Sequence, residues 1–151
     1  MENGRYGVEM NEDEVVEFLV DQGHGVLSFG GEPAYGLPIS FGYDVVDNRC
    51  IFQLLFPPGS QKREYVERSS SVNLVSYDWS DPDDWQSVVI RGPLDAIPDD
   101  SVDAVEASEV FAEHASVPGL AVFDGSIDDL DPEWHELRIE DATGRQSPQI
   151  S

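Results

Sequence analysis

Lysine is almost missing from this chain of 151 residues: Lys62 is the only one, against 31 aspartates and glutamates. With seven arginines the formal net charge is −23. Nucleic-acid binding draws its affinity from Lys and Arg neutralising phosphates, so this composition excludes it. Adhesion to anionic membrane surfaces is excluded on the same ground. A single cysteine, Cys50, rules out an internal disulfide and a cysteine-based metal site. The three histidines, His24, His114 and His135, are scattered and lack zinc-site spacing, and each reads as structural or exposed. Long apolar runs are absent too: Leu54-Leu55-Phe56 falls far below the ~20 residues of a membrane span. Met1 to Met10 carries no apolar signal core, and the expected location is the cytoplasm.

The chain is nevertheless 40% hydrophobic and 10% aromatic, with regular patterning, unlike an acidic disordered segment. The charge fits a folded protein adapted to high salt, because near 1 M salt the Debye length shrinks to ~3 Å and surface carboxylates barely repel one another. The length suits one domain with one core, over about 12–140, ahead of a polar tail over about 142–151 expected to fray.

Asn11 followed by Glu14 is a capping-box signature, and Val15, Val16, Phe18 and Leu19 give an apolar face at helical spacing that ends at Gly23. Strands are expected over 25–30, 37–43, 50–56, 71–79, 85–94 and 134–140, with 45–49 as a turn. Between 37 and 43 the odd positions, Leu37, Ile39, Phe41 and Tyr43, are large. The even positions from 36 to 42, Gly36, Pro38, Ser40 and Gly42, are small. One face should fill the core, and the other leaves room for a flat ligand; a bulge or edge strand gives the same pattern. Gln53 is a polar residue between Ile51 and Leu55, fit for hydrogen bonding or for a plain strand edge. Ile51, Leu55 and Val89 are expected to face outward, towards a second copy of the chain.

A short helix over 60–68, capped by Ser60, carries Lys62 and Arg63 in its first turn. Cations are unfavourable at a helix N-terminus unless an anion is bound there, so a phosphate is one reading and a solvated lysine the other. A second helix over about 99–115 offers Val102, Val105, Phe111 and Ala112 for packing, and 119–123 is a short apolar segment. The Asp clusters at 81–84 and 128–131 lack EF-hand spacing and read as solvated loops. No hydrolase elbow, phosphate loop or dinucleotide fingerprint is present. One helix, a strand-rich middle, a helix and a final strand predict a mainly β, α+β fold: an antiparallel split β-barrel with peripheral helices.

In order and spacing, Leu27-Ser28-Phe29, Gly36 to Phe41, Ile51-Phe52-Gln53 with Ser60-Gln61-Lys62, and Trp85 to Gly92 resemble the pyridoxamine 5′-phosphate oxidase-like flavin-binding family. The chain is most similar to acidic members from salt-loving archaea. The resemblance implies a homodimer with FMN at the subunit interface. It implies that Ser60, Gln61 and Lys62 meet the phosphate, with Gln61 where relatives carry Arg and Arg63 as the available substitute. It implies that Pro38, Ile39 and Ser40 run along the cofactor, that Gln53 stands where relatives often have His, and that Trp85 and Ser87 add polar contacts. The Arg- and His-containing substrate motif of the vitamin oxidases is not recognisable, so that reaction is not expected. The implied activity is a flavin-dependent oxidoreductase acting with a small-molecule electron donor or substrate. The other options are a deazaflavin or haem as ligand, or a non-enzymatic flavin carrier or sensor.

Overall fold

The computed structural model describes residues 7–31, 33–56, 61–68, 71–114 and 131–148; for 61, 62, 68, 114, 131 and 132 it describes the backbone alone. The short strand β1 (Val8–Glu9) leads into helix α1 (Glu12–Gln22). Asn11 Oδ1 accepts the Glu14 N–H at 2.8 Å, and Glu14 Oε1 accepts the Asn11 N–H at 3.0 Å, so the capping box forms as expected. Gly23, at φ 72°, ends the helix in the left-handed conformation that glycine adopts without strain.

The strands that follow are β2 (His24–Phe29), β3 (Tyr35–Ser40), β4 (Gly42–Asp44) and β5 (Arg49–Phe56). After helix α2 (Gln61–Arg68) come β6 (Val72–Asp81), β7 (Asp84–Gly92) and β8 (Leu94–Ile97). Helix α3 (Val102–His114), β9 (Asp131–Arg138) and β10 (Asp141–Gln146) complete the described elements. All pairings are antiparallel. One sheet has the order β1-β10-β7-β6-β2-β3 and the other β4-β5-β9-β8. The sheets do not close on one another among the described residues, which is the split barrel that the sequence predicts. Between them lies a core that includes Leu27, Phe29, Phe41, Phe52, Leu54, Leu74 and Leu137, all at most 2% exposed. Burying each such side chain contributes roughly 1.5–3 kcal/mol.

The strand expected over 37–43 changes sheets at Phe41: β3 is the edge of the six-stranded sheet, and β4 pairs with β5 in the other. This divides the small-residue face. Gly36 and Pro38 are exposed, but Gly42 is buried beneath α3, where an added Cβ would lie 2.7 Å from the Val110 carbonyl oxygen. The space at Gly42 is thus filled by the protein's own helix, a correction to the ligand reading at that position.

Of the residues expected to pack from helix α3, Phe111 does so, and Val102, Val105 and Ala112 do not. Ala104 and Ala107 are buried, Val110 and Phe111 pack beside them, and Val102, Val105 and Ala112 are exposed. With no Cβ on Gly42, the backbone of Val110 and Phe111 lies close against it. The same helix covers Ile51, which is fully buried, so Ile51 does not face a second chain. Leu55 is half-buried, and Val89 is 39% exposed on the outer face.

Within the polar segment expected to fray, Asp141–Gln146 is ordered as a strand. It forms β10, pairing with β7 on one side and β1 on the other. Its inward residues are Gly144, against Met10 and Val15, and Gln146, which donates to Glu14 Oε2 at 2.8 Å. Neither residue is apolar, so hydrophobic alternation could not mark the strand. Ser60, the 119–123 segment and most of the 128–131 cluster lie outside the described residues.

Candidate functional site

The fork between β3 and β5 carries four of the nine sequence-predicted cofactor residues, Pro38, Ile39, Ser40 and Gln53. Gly42 pairs with Ile51 in the four-stranded sheet, whereas two residues earlier Ser40 pairs with His24 in the six-stranded one, so β3 and β5 part between them. Pro38 and Gln53 are exposed, while Ile39 and Ser40 are half-buried, with Ile39 packed against the core. Helix α2 comes after β5 among the described elements. It is fixed by Tyr65, which stacks on Tyr35 at the start of β3 with ring centroids 4.8 Å apart. The Tyr65 hydroxyl donates to the Pro33 carbonyl at 2.8 Å. Gln61 and Lys62 occupy the first turn of this helix; their side chains, like Ser60, fall outside the description.

Two expectations do not come together at the fork. Arg63 is not free to replace the missing arginine. Its Nη1 donates to Glu133 Oε2 at 2.7 Å, and its guanidinium lies over the Phe56 ring at 4.2 Å. Trp85 and Ser87 lie on β7, three strand intervals from β3 in the order β7-β6-β2-β3. At the usual spacing that is roughly 14 Å, too far for one ring system to touch both within a single chain. Between them runs a row of outward-facing residues in register, Pro38, Val26, Val75 and Val89.

The fork passes a test of fit for a flat, phosphorylated ligand. A Cβ added at Gly36 would meet atoms no closer than 3.7 Å, so the outer side of β3 is open rather than filled. Gln53 is exposed on β5, and Lys62 stands in the first turn of α2, the helix whose Tyr65 stacks on Tyr35 of β3. Among the described residues, no side chain at the fork has the environment of a nucleophile or general base. The one cysteine is buried under the core, and burial pushes its thiol pKa far up, which leaves it unreactive.

Sequence reasoning missed two polar centres. Arg49, read as a turn residue, begins β5 and is 3% exposed. It donates to Asp44 at 2.9 Å, Asp103 at 2.8 and 3.0 Å, and Glu136 at 3.0 Å. His135, read as structural or exposed, is buried on the inward face of β9 at the mouth of a cleft beneath α2. The only sequence signal was the alternation Glu133-x-His135-x-Leu137 in a strand. Among the described residues no group of His, Cys, Asp and Glu could hold a metal ion, and no helix is long and apolar enough to cross a membrane.

The sequence profile of the pyridoxamine 5′-phosphate oxidase family matches residues 11–146. Comparison with curated protein sequences returned no match. Similar solved structures include an FAD-binding protein from Mesorhizobium loti, at TM-score 0.72 and 19% identity, covering 93% of this chain and 97% of that one. The FAD-binding protein from Mycobacterium smegmatis gives TM-score 0.68 and 16% identity over 95% and 100% of the two chains. An FAD- and haem-binding protein from M. smegmatis gives 0.65 and 14% over 93% and 75%. At these identities the structures speak for the fold, whereas the profile spans nearly all of the described sequence: the chain belongs to the pyridoxamine 5′-phosphate oxidase family.

Proposed function

We propose that this is a flavin-binding protein with FMN at the β3–β5 fork, acting as an oxidoreductase on a small-molecule donor or substrate. The observation that carries this reading is the split at Phe41, where β3, bearing Pro38, Ile39 and Ser40, parts from the sheet of β5, bearing Gln53. The flavin-binding relatives named above support a flavin as the class of ligand. A bound flavin would supply the redox chemistry. The chain would hold its ring along Pro38–Ser40, meet its polar edge with Gln53, and offset its phosphate with Lys62 and the free N–H groups of the helix start.

Trp85 and Ser87 belong to the same site only if a second copy supplies them. A homodimer that covers the Pro38–Val26–Val75–Val89 row would do so, and it would bury apolar surface that a monomer leaves wet. The surface charge and the single lysine support adaptation to high salt and a place in the cytoplasm of a salt-rich cell.

The test begins with purification in molar KCl, an absorption spectrum and mass spectrometry of any released ligand. FMN is expected, whereas FAD, a deazaflavin or haem would keep the fold and replace the ligand. Titration of the ligand-free protein with FMN should show Lys62→Gln binding roughly tenfold more weakly, the loss expected for one charge-assisted contact. Arg138→Gln, an exposed residue on β9, should bind as the parent does. Equal affinity in both variants removes Lys62 from the site. A colourless protein that takes up no flavin ends the proposal, and flavin binding without turnover by reduced nicotinamides leaves a carrier or sensor.

A further inference from the structure

The outer face of the six-stranded sheet is a part of this molecule where acid does not prevail. Burial marks the inward positions of its strands, as at Leu27, Leu74, Ser76 and Val88, and the outward positions alternate with them. From β3 to β10, and on β6 as far as Trp79, the outward positions carry Arg91, Arg145 and Asp141 as their charged groups, with His24 as a further titratable one. The whole chain has 31 acidic residues against eight basic ones. This face instead sets two arginines against one aspartate, and Glu9 on the edge strand β1 brings it only to balance.

Two features of this face point to a ligand. The first is Arg145, exposed on β10. The other arginine side chains described, Arg49, Arg63, Arg91 and Arg138, each pair with a carboxylate. Arg145 pairs with none among the described residues, although Glu9 is its cross-strand neighbour. In register with Arg145 lies Ser87 on β7, and in register with Ser87 lies Tyr77 on β6. The second feature is Tyr77 itself, 62% exposed, together with Trp79 two residues on, 59% exposed. Among the described residues no other aromatic side chain is exposed. Trp85, opposite Trp79, turns its ring towards Gly7 and leaves Trp79 uncovered. Side chains two apart on a strand stand about 7 Å from each other, close to twice the ~3.5 Å of atoms in contact, so a flat ring fits between Tyr77 and Trp79.

We propose that the Tyr77–Ser87–Arg145 row binds a small planar aromatic acid, the substrate class of this protein. The ring lies between Tyr77 and Trp79, and the carboxylate accepts from the Arg145 guanidinium and the Ser87 hydroxyl. One guanidinium can give a carboxylate two parallel bonds. Arg145 and Tyr77 are two strand intervals apart, roughly 10 Å at the usual spacing, and the reach of the arginine side chain shortens that gap to the length of one aromatic acid. A cation of the same shape meets Arg145 and is rejected. In calling the ligand a substrate, the inference rests on the flavin reading: Ser87 is a residue that a second copy would bring to the fork, and a ring held beside it would be carried to the same place. The binding itself does not need the flavin.

The probe is benzoate, with cyclohexanecarboxylate as the acid that lacks a flat ring and benzylamine as the ring of opposite charge. Each is titrated into the full chain in molar KCl, which screens the field of the acidic surface. Binding is followed by amide and indole NMR shifts, and FMN uptake is measured separately. The expected result is a saturable benzoate shift confined to β6, β7, β10 and the Trp79 indole, several-fold weaker binding of cyclohexanecarboxylate, and no shift from benzylamine. Arg145→Gln and Trp79→Ala, both at exposed positions, should each weaken benzoate binding roughly tenfold. Arg91→Gln, which removes the other arginine of this face, should leave it unchanged. Equal weakening by Arg91→Gln, equal binding of benzylamine, or the lack of a saturable shift in a chain that takes up FMN overturns the inference and leaves the flavin reading standing. Saturable binding that Arg145→Gln weakens, in a chain that takes up no flavin, supports the site and removes only its description as a substrate site.

Discussion

Arg49 shows how one residue can hold two parts of this fold together. Its guanidinium takes Asp44 from the end of β4, Asp103 from α3 and Glu136 from β9. Burial works against the charge, but hydrogen bonds to Asp103 and Asp44 outweigh it and hold the guanidinium pKa above its ordinary value. Removing one partner from such a centre strands the others, a loss of about 3–5 kcal/mol where buried pairs have been broken. Arg49→Met should therefore lower stability by that order in urea unfolding at constant salt. Arg49→Lys should fall between, because an ammonium cannot reproduce the planar fork that meets two carboxylates at once. Arg91→Met, which removes an exposed cation, should change stability by no more than about 0.5 kcal/mol. If Arg49→Met matches Arg91→Met, the network contributes nothing beyond surface charge.

At the scale of elements, α1 is joined to the last strand through Glu14. Its carboxylate closes the capping box on the Asn11 N–H and also accepts from Gln146 on β10. These bonds, the Asn11 one first, hold the Glu14 pKa below its ordinary value. A carboxyl depressed on folding gives stability that is fully present above its unfolded pKa and is lost as pH falls through its folded one. Glu14→Ala should thus lower the melting temperature at neutral pH, and the gap to the parent should close below the carboxylate range. A gap that stays constant with pH would assign the loss to packing instead. The capping box was legible in the sequence because both partners are local, three residues apart. The core strands were legible because Phe52, Leu54 and Phe56 alternate with outward residues. Strand β10 was not, since its inward residues are Gly144 and Gln146 and its partners are far away in the chain. The face of α3 was misread for a related reason. Val102 and Val105 are the more hydrophobic candidates, but Ala104 and Ala107 are the ones that turn inward, into the cluster with Ile51 and Ile97. At the site, the fork residues were found through their small-large alternation, whereas the His135 cleft depends on α2, β8 and β9 meeting in space.

For the whole molecule the deciding quantity is charge against apolar area. Two copies that pair through the Pro38–Val26–Val75–Val89 row would bring together two bodies of formal charge −23 each. At 0.1 M salt the Debye length is about 10 Å and these charges oppose pairing; near 1 M it is about 3 Å and the opposition fades, while apolar burial remains. Association should therefore strengthen with salt, contrary to what ion pairing across an interface would give. Sedimentation is expected to show a dimer in molar KCl and a growing monomer fraction as salt is lowered within the folded range. Val89→Glu, at the exposed β7 end of the row, should stay monomeric at every salt concentration. It should also bind FMN more weakly, because Trp85 and Ser87 could no longer be supplied from a second copy. If Val89→Glu dimerises like the parent, the interface lies elsewhere. If it is monomeric yet binds FMN unchanged, the fork of a single chain is the whole site, and the β7 residues have no part in it.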